Sequence, residues 1–212
     1  MLEYHKIDTI FERDMEGSKK LIEGKFRNPA VEFLKDNIWI GKEKIDGTNI
    51  RIYWDGHKVS YAGRTDKSEI PKDLVQYIEN KFCTSEAEQL FEQLFGEKEV
   101  YLFAEGYGAG IQNGGSYRSD QALILFDVCV NGIYLDMESV NEIAKAFDIE
   151  VVKILCEGTI DELVAFVKSS PKSQSAIDKN LVIEGVVAVP KVELRTQNGK
   201  RLIVKIKVKD FM

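Results

Sequence analysis

Residues 44–49 read Lys-Ile-Asp-Gly-Thr-Asn and lie between two short apolar runs, at residues 37–41 and 50–54. Both runs are rich in β-branched and aromatic residues and are bounded by turn formers, which predicts two strands. A lysine is thereby placed on a rigid support, with a carboxylate two residues further along. Such a lysine becomes a nucleophile once its ammonium loses a proton, which burial or neighbouring cations favour. The alternative is that Asp46 and Gly47 form an ordinary hairpin turn beside a solvated Lys44.

Two glutamates downstream each follow an apolar run and precede a glycine. Glu105 lies in Phe-Ala-Glu-Gly at residues 103–106, and Glu184 lies in Ile-Glu-Gly-Val-Val at residues 183–187. A carboxylate at a strand end beside a flexible glycine can hold Mg²⁺ or the hydroxyls of a ribose. The alternative for each is an acidic turn residue without a ligand.

Basic residues recur near the end of the chain, where residues 204–207 read Val-Lys-Ile-Lys. Side chains repeat every two residues along a strand, so Lys205 and Lys207 are predicted to face the same side. Two such ammoniums near Lys44 would neutralise a phosphate and favour the neutral amine of the nucleophile by like-charge repulsion. The alternative is the solvated basic face of an edge strand.

Three further side chains suit a nucleotide. Arg64, in Ala-Gly-Arg-Thr at residues 62–65, offers forked donors to a ribose or a phosphate. Phe126, in Leu-Phe-Asp-Val at residues 125–128, can stack on a base, although a phenylalanine in such a run also suits the core. Asn49 can bind phosphate or ribose, or instead cap its own loop.

The order of these motifs resembles that of the covalent nucleotidyltransferases, which include ATP-dependent DNA ligases, RNA ligases and mRNA capping enzymes. The run Gly-Ala-Gly-Ile-Gln at residues 108–112 is similar to the Gly-Pro-Gly-Ile-Gln of the RNA ligase 2 branch. Two positions depart from that branch. Asp46 stands where it has histidine and is the form found in DNA ligases and capping enzymes. Val189 stands where the branch tends to have lysine.

The resemblance implies a role for each candidate residue. Lys44 would be adenylylated, Arg64 and Glu105 would bind the ribose, and Phe126 would sandwich the base. Glu184, together with Glu105, would support the metal. The full nucleotide-binding set is then Lys44, Asn49, Arg64, Glu105, Phe126, Glu184, Lys205 and Lys207, with Lys205 and Lys207 contacting phosphate. ATP and Mg²⁺ or Mn²⁺ are the implied cofactors.

The function implied by the resemblance is ATP-dependent RNA ligation. The protein would adenylylate itself, pass AMP to a polynucleotide 5′-phosphate and seal that end to a 3′-hydroxyl. One alternative is a minimal DNA nick ligase, which Asp46 permits. Another is a non-catalytic nucleotide- or nucleic-acid-binding module, against which the lysine and glutamate set argues, because a binder needs no nucleophile. A protein partner that supplies further RNA-binding surface also stays open.

Composition sets the remaining expectations. The 212 residues carry a net charge of −6, which argues against non-specific nucleic-acid binding by the whole surface. We expect one domain over residues 1–212, without a C-terminal OB-fold or other appended domain. The three widely spaced cysteines suit a reducing compartment. No apolar leader or membrane-length run is visible, so a cytoplasmic location without membrane contact is expected.

Strand and helix patterns alternate without strict βαβ order, which predicts an α+β fold of mainly antiparallel sheets flanked by helices. The implied core is the nucleotidyltransferase, or ATP-grasp-like, adenylation core of ligases. Residues 1–36 are expected to form one or two short helices or irregular segments, and residues 169–178 a polar loop. Helical spacing occurs within residues 73–95, 137–147 and 160–168, and further strands are predicted at 58–62, 100–104, 121–128, 181–189 and 201–208.

Overall fold

The computed structural model describes residues 1–212 and has the predicted α+β class, with mainly antiparallel sheets flanked by helices. The strands are β1 Asp8–Thr9, β2 Phe11–Arg13, β3 Leu21–Phe26, β4 Trp39–Lys44, β5 Thr48–Trp54, β6 Val59–Ala62, β7 Val100–Gly108, β8 Gln121–Val130, β9 Ile133–Tyr134, β10 Glu150–Val151, β11 Ile154–Gly158, β12 Gly185–Pro190 and β13 Val204–Lys207. The α-helices are α1 Pro29–Phe33, α2 Lys72–Phe82, α3 Ser85–Phe95, α4 Met137–Ala146 and α5 Ile160–Lys168.

The chain divides into two compact units. Unit 1 contains Met1–His5 and Asp46–Val152, and unit 2 contains Lys6–Ile45 and Lys153–Met212. The expectation of one domain over the whole chain stays a prediction.

Unit 1 is built on a six-stranded sheet in the order β10-β8-β7-β5-β6, with β9 paired to β8. One face of this sheet forms an apolar core with α2, α3 and α4. The other face carries the aromatic cluster of Tyr4, Tyr53, Tyr101, Phe103, Phe126 and Tyr134 around Cys129. The two faces follow from strand alternation, since successive side chains point to opposite sides.

Unit 2 is built on a five-stranded sheet in the order β1-β13-β12-β4-β11, and β2 and β3 form a separate hairpin. Val186 and Ile206 lie on one face of this sheet, fully buried in a core with Leu163 and Val167 of α5. A capping box between Thr159 and the helix begins α5, which satisfies backbone donors that a helix start otherwise leaves unpaired.

The strands that flank the Lys-Ile-Asp-Gly stretch do not pair with each other. β4 lies between β12 and β11 in the sheet of unit 2, and β5 lies between β6 and β7 in the sheet of unit 1. The hairpin-turn alternative for Asp46 and Gly47 is therefore wrong. Each strand instead pairs with a segment distant in sequence: β12 matches all six residues of β4, and β7 matches all seven of β5.

The prediction for residues 1–36 was mostly wrong, because this region forms β1, β2 and β3 as well as the short α1. Ile10 and Phe11 have helical spacing with Ile7, yet both are buried in the unit 2 core, and β1 pairs in parallel with β13. Tertiary pairing overrides local spacing here. The final strands are also shorter than predicted. Residues 181 and 183 bond to residues 173 and 171 instead, and the Leu202 amide donates to the Leu194 carbonyl.

The pattern at residues 73–95, 137–147 and 160–168 is confirmed as α2 to α5. β6, β7 and β8 are confirmed as well, and β9 pairs with β8 in a hairpin. β10 and β11 were not predicted. No helix in the structure combines the length and the apolar character that crossing a bilayer requires.

Candidate functional site

Lys44 is the last residue of β4 and is held by its strand neighbours. It lies opposite Gly185 of β12, and Gly185 lies opposite Lys207 of β13. A Cβ at Gly185 would lie 2.1 Å from the Ile206 carbonyl oxygen, so the close approach of β12 and β13 requires glycine at this position. Gly185 therefore lies between two lysines on the strands that flank β12, without adding a side chain of its own.

Glu184 bridges these two lysines. Lys44 Nζ donates to Glu184 Oε2 at 2.6 Å, and Lys207 Nζ donates to Glu184 Oε1 at 2.5 Å. Burial opposes ionisation of this carboxyl most strongly, yet Lys44 and Lys207 together outweigh it and lower the pKa of Glu184. The glutamate is therefore an ionised counter-ion whose two oxygens are each bonded to a different ammonium.

Lys205 adds a third ammonium to the same face of the sheet. It lies two residues before Lys207, while the alternating residues Val204 and Ile206 point into the core, so the predicted common face is confirmed. β13 lies between β1 and β12, which makes the edge-strand alternative wrong. Burial, followed by repulsion from Lys207 and Lys44, lowers the pKa of Lys205.

In unit 1, Asn49 of β5 lies directly opposite Glu105 of β7. The Asn49 Oδ1 atom is buried and has no hydrogen-bond partner within the protein. Buried polar atoms are nearly always paired in native structures, so an unpaired acceptor calls for an explanation. A hydroxyl donor on a bound ligand provides one.

Gly47 and Asp46 follow soon after Lys44 and contact the end of β7 and the glycine-rich loop that follows it. Gly47 packs against β7, and Asp46 is hydrogen-bonded to the loop. A Cβ at Gly47 would lie 2.3 Å from the Gly106 carbonyl oxygen and 2.8 Å from Glu105 Cγ, so glycine is required there by close approach. Asp46 accepts a hydrogen bond of 3.2 Å from Asn113 Nδ2.

Phe126 occupies an irregularity in the β7–β8 ladder. The register shifts between the pairs Phe103–Asp127 and Ala104–Leu125, which leaves Phe126 as the extra residue on β8. Such bulges re-aim a side chain locally. The ring is half-buried and meets the ring of Tyr4 edge-on, with centroids 5.1 Å apart. Arg64 is exposed in the bend after β6.

The predicted residues therefore fall into two groups. Lys44, Glu184, Lys205 and Lys207 come together on one sheet face of unit 2. Asn49 and Glu105 face each other in unit 1, which also contains Arg64 and Phe126. The roles of these residues stay predictions.

Sequence reasoning missed Glu43, which precedes Lys44 and is almost fully buried. Its carboxylate accepts hydrogen bonds from the Ser173 hydroxyl, the Gln174 amide and the Ser175 hydroxyl. Glu43 thus fixes the polar loop at residues 169–178 to the strand that carries Lys44. One sequence signal was available: Glu43 is an acidic residue inside an otherwise apolar and basic strand. A carboxylate that is buried there requires hydrogen-bond partners, which predicts a polar segment packed against it.

No group of three or more histidine, cysteine, aspartate or glutamate side chains lies close enough together to hold a metal ion. Glu184 and Glu105 each offer a single carboxylate. Mg²⁺ is typically bound through one or two protein carboxylates and several waters, so either glutamate could contribute to such a site.

Comparison with known proteins bears on the family and on the fold. The model of the RNA ligase family matches residues 37–207, which is most of the chain. The chain belongs to the RNA ligase family. The motif resemblance to covalent nucleotidyltransferases is thereby confirmed at the level of the family.

Solved structures of the Naegleria gruberi RNA ligase share the fold. A mutant with ATP and Mn superposes with a TM-score of 0.63 at 18% identity, covering 86% of this chain and 54% of that chain. Another mutant with ATP and Mn gives a TM-score of 0.67 at 17% identity, covering 97% and 56%. The ligase with PPi gives 0.62 at 19% identity, covering 84% and 52%. The present chain therefore spans little more than half the length of these structures.

Proposed function

We propose that the chain is an ATP-dependent RNA ligase that forms a covalent lysine–AMP intermediate on Lys44. The observation that carries the proposal is the bridge from Lys44 through Glu184 to Lys207, with Lys205 on the same sheet face. A nucleophile, two phosphate-binding cations and one carboxylate are the groups that adenylyl transfer requires. A structural ion pair would not require a second ammonium on the same carboxylate and a third on the same sheet face.

In the first step, Lys44 Nζ attacks the α-phosphorus of ATP. An N–P bond forms, the bond from the α-phosphorus to the bridging oxygen breaks, and pyrophosphate leaves. The Lys44 ammonium gives up two protons to water, one to expose the lone pair and one as the N–P bond forms, and keeps the third as the N–H of the phosphoramide. Lys205 and Lys207 act as preorganised positive charges for the phosphate oxygens, where charge develops in the transition state. AMP then passes to an RNA 5′-phosphate, and attack by a 3′-hydroxyl forms the phosphodiester and releases AMP.

The unit 1 side chains suit recognition of the nucleoside. The unpaired Oδ1 of Asn49 can accept from a ribose hydroxyl, and Glu105 lies opposite it. Phe126 offers an aromatic ring for the adenine, and Arg64 offers an exposed fork of donors. The solved Naegleria gruberi structures with ATP and Mn support ATP and a divalent metal as cofactors.

Glu184 is the carboxylate best suited to such a metal, whose chemical contribution is to balance triphosphate charge. In the described state its oxygens bind Lys44 and Lys207. Metal binding at Glu184 would therefore compete with these ammoniums. Release of Lys44 from Glu184 is also what attack on phosphorus requires, because an ion-paired ammonium has no free lone pair.

The test is incubation of the purified protein with ATP and Mg²⁺ or Mn²⁺, followed by intact-mass measurement and peptide mapping. The expected result is a mass gain of one AMP located on Lys44, with release of pyrophosphate. No adduct with either metal, or an adduct on another residue, would overturn the proposal.

The acceptor is proposed to be RNA at the 3′-hydroxyl end, because a 2′-hydroxyl there can be read directly. A DNA ligase is the second candidate, because Asp46 is the residue that DNA ligases have at this position of the motif. Pre-adenylylated nicked duplexes that differ only in RNA or DNA on the 3′-hydroxyl side separate the two. We expect faster sealing of the RNA-ended nick, whereas equal or faster sealing of the all-DNA nick would favour the DNA ligase.

A further inference from the structure

Arg51 is a fully buried arginine that the proposed chemistry does not use. It lies on β5, opposite Ala62 of β6 and Phe103 of β7, with no exposed surface. By strand alternation it shares a sheet face with Asn49 and Tyr53. Lysine and arginine are almost never fully buried unless they are paired, so the partners of this side chain are informative.

The guanidinium of Arg51 binds two separate segments at once. Its Nε donates to the Gly63 carbonyl at 2.7 Å, and its Nη2 donates to Asp66 Oδ1 at 2.8 Å. Its Nη1 donates to the carbonyl oxygens of Met1 and Leu2 at 3.2 and 3.1 Å. Four of the five N–H donors of an arginine are thereby used, in a planar fork that a lysine cannot reproduce.

The first segment, residues 62–66, carries Arg64. Gly63 precedes it and is packed so closely that an added Cβ would lie 2.7 Å from Ser68 Cβ. On the other side, the Thr65 amide donates to the Ser68 hydroxyl. Arg64 is therefore an exposed side chain on a backbone fixed from both sides, and Arg51 makes the contact to the carbonyl immediately before it.

The second segment, residues 1–5, carries Tyr4. Besides the two bonds from Arg51, the Leu2 amide donates to the Tyr101 hydroxyl at 3.1 Å. The Tyr4 hydroxyl donates to Asp127 Oδ2, and the Tyr4 ring packs against Phe126 and Phe103. Tyr4 is therefore one of the side chains that determine where the ring of Phe126 lies.

Burying an arginine at position 51 is unfavourable for stability unless its hydrogen bonds compensate or serve the function. A buried guanidinium must be desolvated, and an apolar residue packed in its place is often no less stabilising. Both bound segments, however, lead to residues proposed to contact the nucleotide: Arg64 in the first and Phe126, through Tyr4, in the second. The guanidinium also lowers the pKa of Asp66, which keeps that partner ionised.

We propose that Arg51 is a positioning residue of the nucleotide site, holding the segments of Arg64 and Tyr4 in one arrangement without touching the nucleotide. This inference rests on the proposed function, since it takes Arg64 and Phe126 as ATP contacts. It makes ATP affinity depend on a buried side chain of unit 1.

The test compares Arg51→Met and Arg51→Lys with Ile52→Ala, a matched control. Ile52 is adjacent in sequence and equally buried, but it points into the opposite, helix-covered core. Ile52→Ala therefore destabilises unit 1 without removing any contact to either segment. Two quantities are measured for the full chain: the equilibrium dissociation constant for ATP, and amide hydrogen exchange in residues 1–5 and 62–66.

The expected result for Arg51→Met is faster exchange in both segments and ATP binding weakened by about tenfold or more, the range for loss of a positioned polar contact. Arg51→Lys should fall between wild type and Arg51→Met, because one ammonium cannot reach both segments. Ile52→Ala should lower the melting temperature while leaving both readouts within about twofold of wild type, since its cavity lies in the core.

Three outcomes would count against the inference. Wild-type ATP affinity in Arg51→Met overturns it, and so does an equal loss of affinity in Ile52→Ala, which would indicate general destabilisation. Exchange that rises in only one segment contradicts the joint role. Failure of the wild-type protein itself to bind ATP overturns the proposed function and this inference together, which distinguishes it from the other outcomes.

Discussion

The two units of this protein each pack one sheet face against helices, but their other sheet faces carry different chemistry. In unit 2 that face presents Lys44 and Lys207 bonded to Glu184, with Lys205 on the same face. In unit 1 it presents a row of aromatic rings beside Asn49 and Glu105. Clustered positive charge suits phosphate chemistry, whereas aromatic rings and hydrogen-bonding groups such as Asn49 and Glu105 suit a base and a sugar. The comparison predicts that unit 2 variants change the rate of adenylylation and unit 1 variants change the affinity for ATP.

The largest effect is expected for Lys44→Ala. Without the amine no N–P bond can form, so we expect adenylylation to fall by roughly 10⁴-fold or more, to the limit of detection. Intact mass after incubation with ATP and Mg²⁺ measures it. Lys191→Ala is the matched control, because Lys191 also lies in unit 2 and pairs with a glutamate, Glu157, at the surface. AMP label that persists in Lys44→Ala would refute the assignment of the nucleophile.

Lys205→Ala and Lys207→Ala should each slow adenylylation by about 10²-fold at saturating ATP, as expected for loss of a preorganised charge. Both side chains lie on the face away from the apolar core, so neither variant should unfold. Lys205→Ala should melt near wild type, whereas Lys207→Ala should melt modestly lower because it removes the bond to Glu184. Single-turnover rates and thermal melts measure the two quantities. If either variant unfolds outright, the lysine has a structural role and the contrast between the units fails.

Asn49→Ala should act on affinity instead of rate. The KM for ATP is expected to rise about tenfold, corresponding to loss of one ligand hydrogen bond, with kcat changed little. Because Asn49 Oδ1 is buried without a protein partner, its removal should leave the melting temperature unchanged or higher. Tyr53→Phe, on the same strand and face, serves as the control. A lower kcat with unchanged KM would assign Asn49 to the chemical step.

The smallest effect concerns pH and stability. The folded-state pKa of Glu184 is lowered, so its contribution is present above its unfolded value, near 4.5, and is lost as pH falls through the folded value. At pH 7 we expect Glu184→Gln to lose about 1–3 kcal/mol of unfolding free energy, the range for charge-assisted hydrogen bonds. The difference from wild type should disappear at low pH in denaturant titrations. A constant difference at all pH values would exclude the ion-pair explanation.

Helices α2 to α5 could be read from the sequence, because their apolar spacing of three and four residues agrees with the face that each one buries. The shared orientation of Lys205 and Lys207 follows in the same way from the two-residue repeat of a strand. Residues 1–36 could not be read, because helical spacing of Ile7, Ile10 and Phe11 competes with non-local pairing to β13. The spacing of apolar residues within a segment carries no information about a strand that pairs with it from some 200 residues away.

The motifs, their order and the family they indicate were determined by the sequence alone, since they depend on residue identity and spacing. Only the tertiary structure decided that β4 and β5 join different sheets and that Lys44 meets a carboxylate 140 residues further along the chain. It also decided that Arg51, one apparently ordinary strand residue, is buried between two segments that are distant in sequence. The reason is physical: alternation and helical period are properties of neighbouring residues, whereas strand pairing and ion-pair partners depend on which distant segments bury each other.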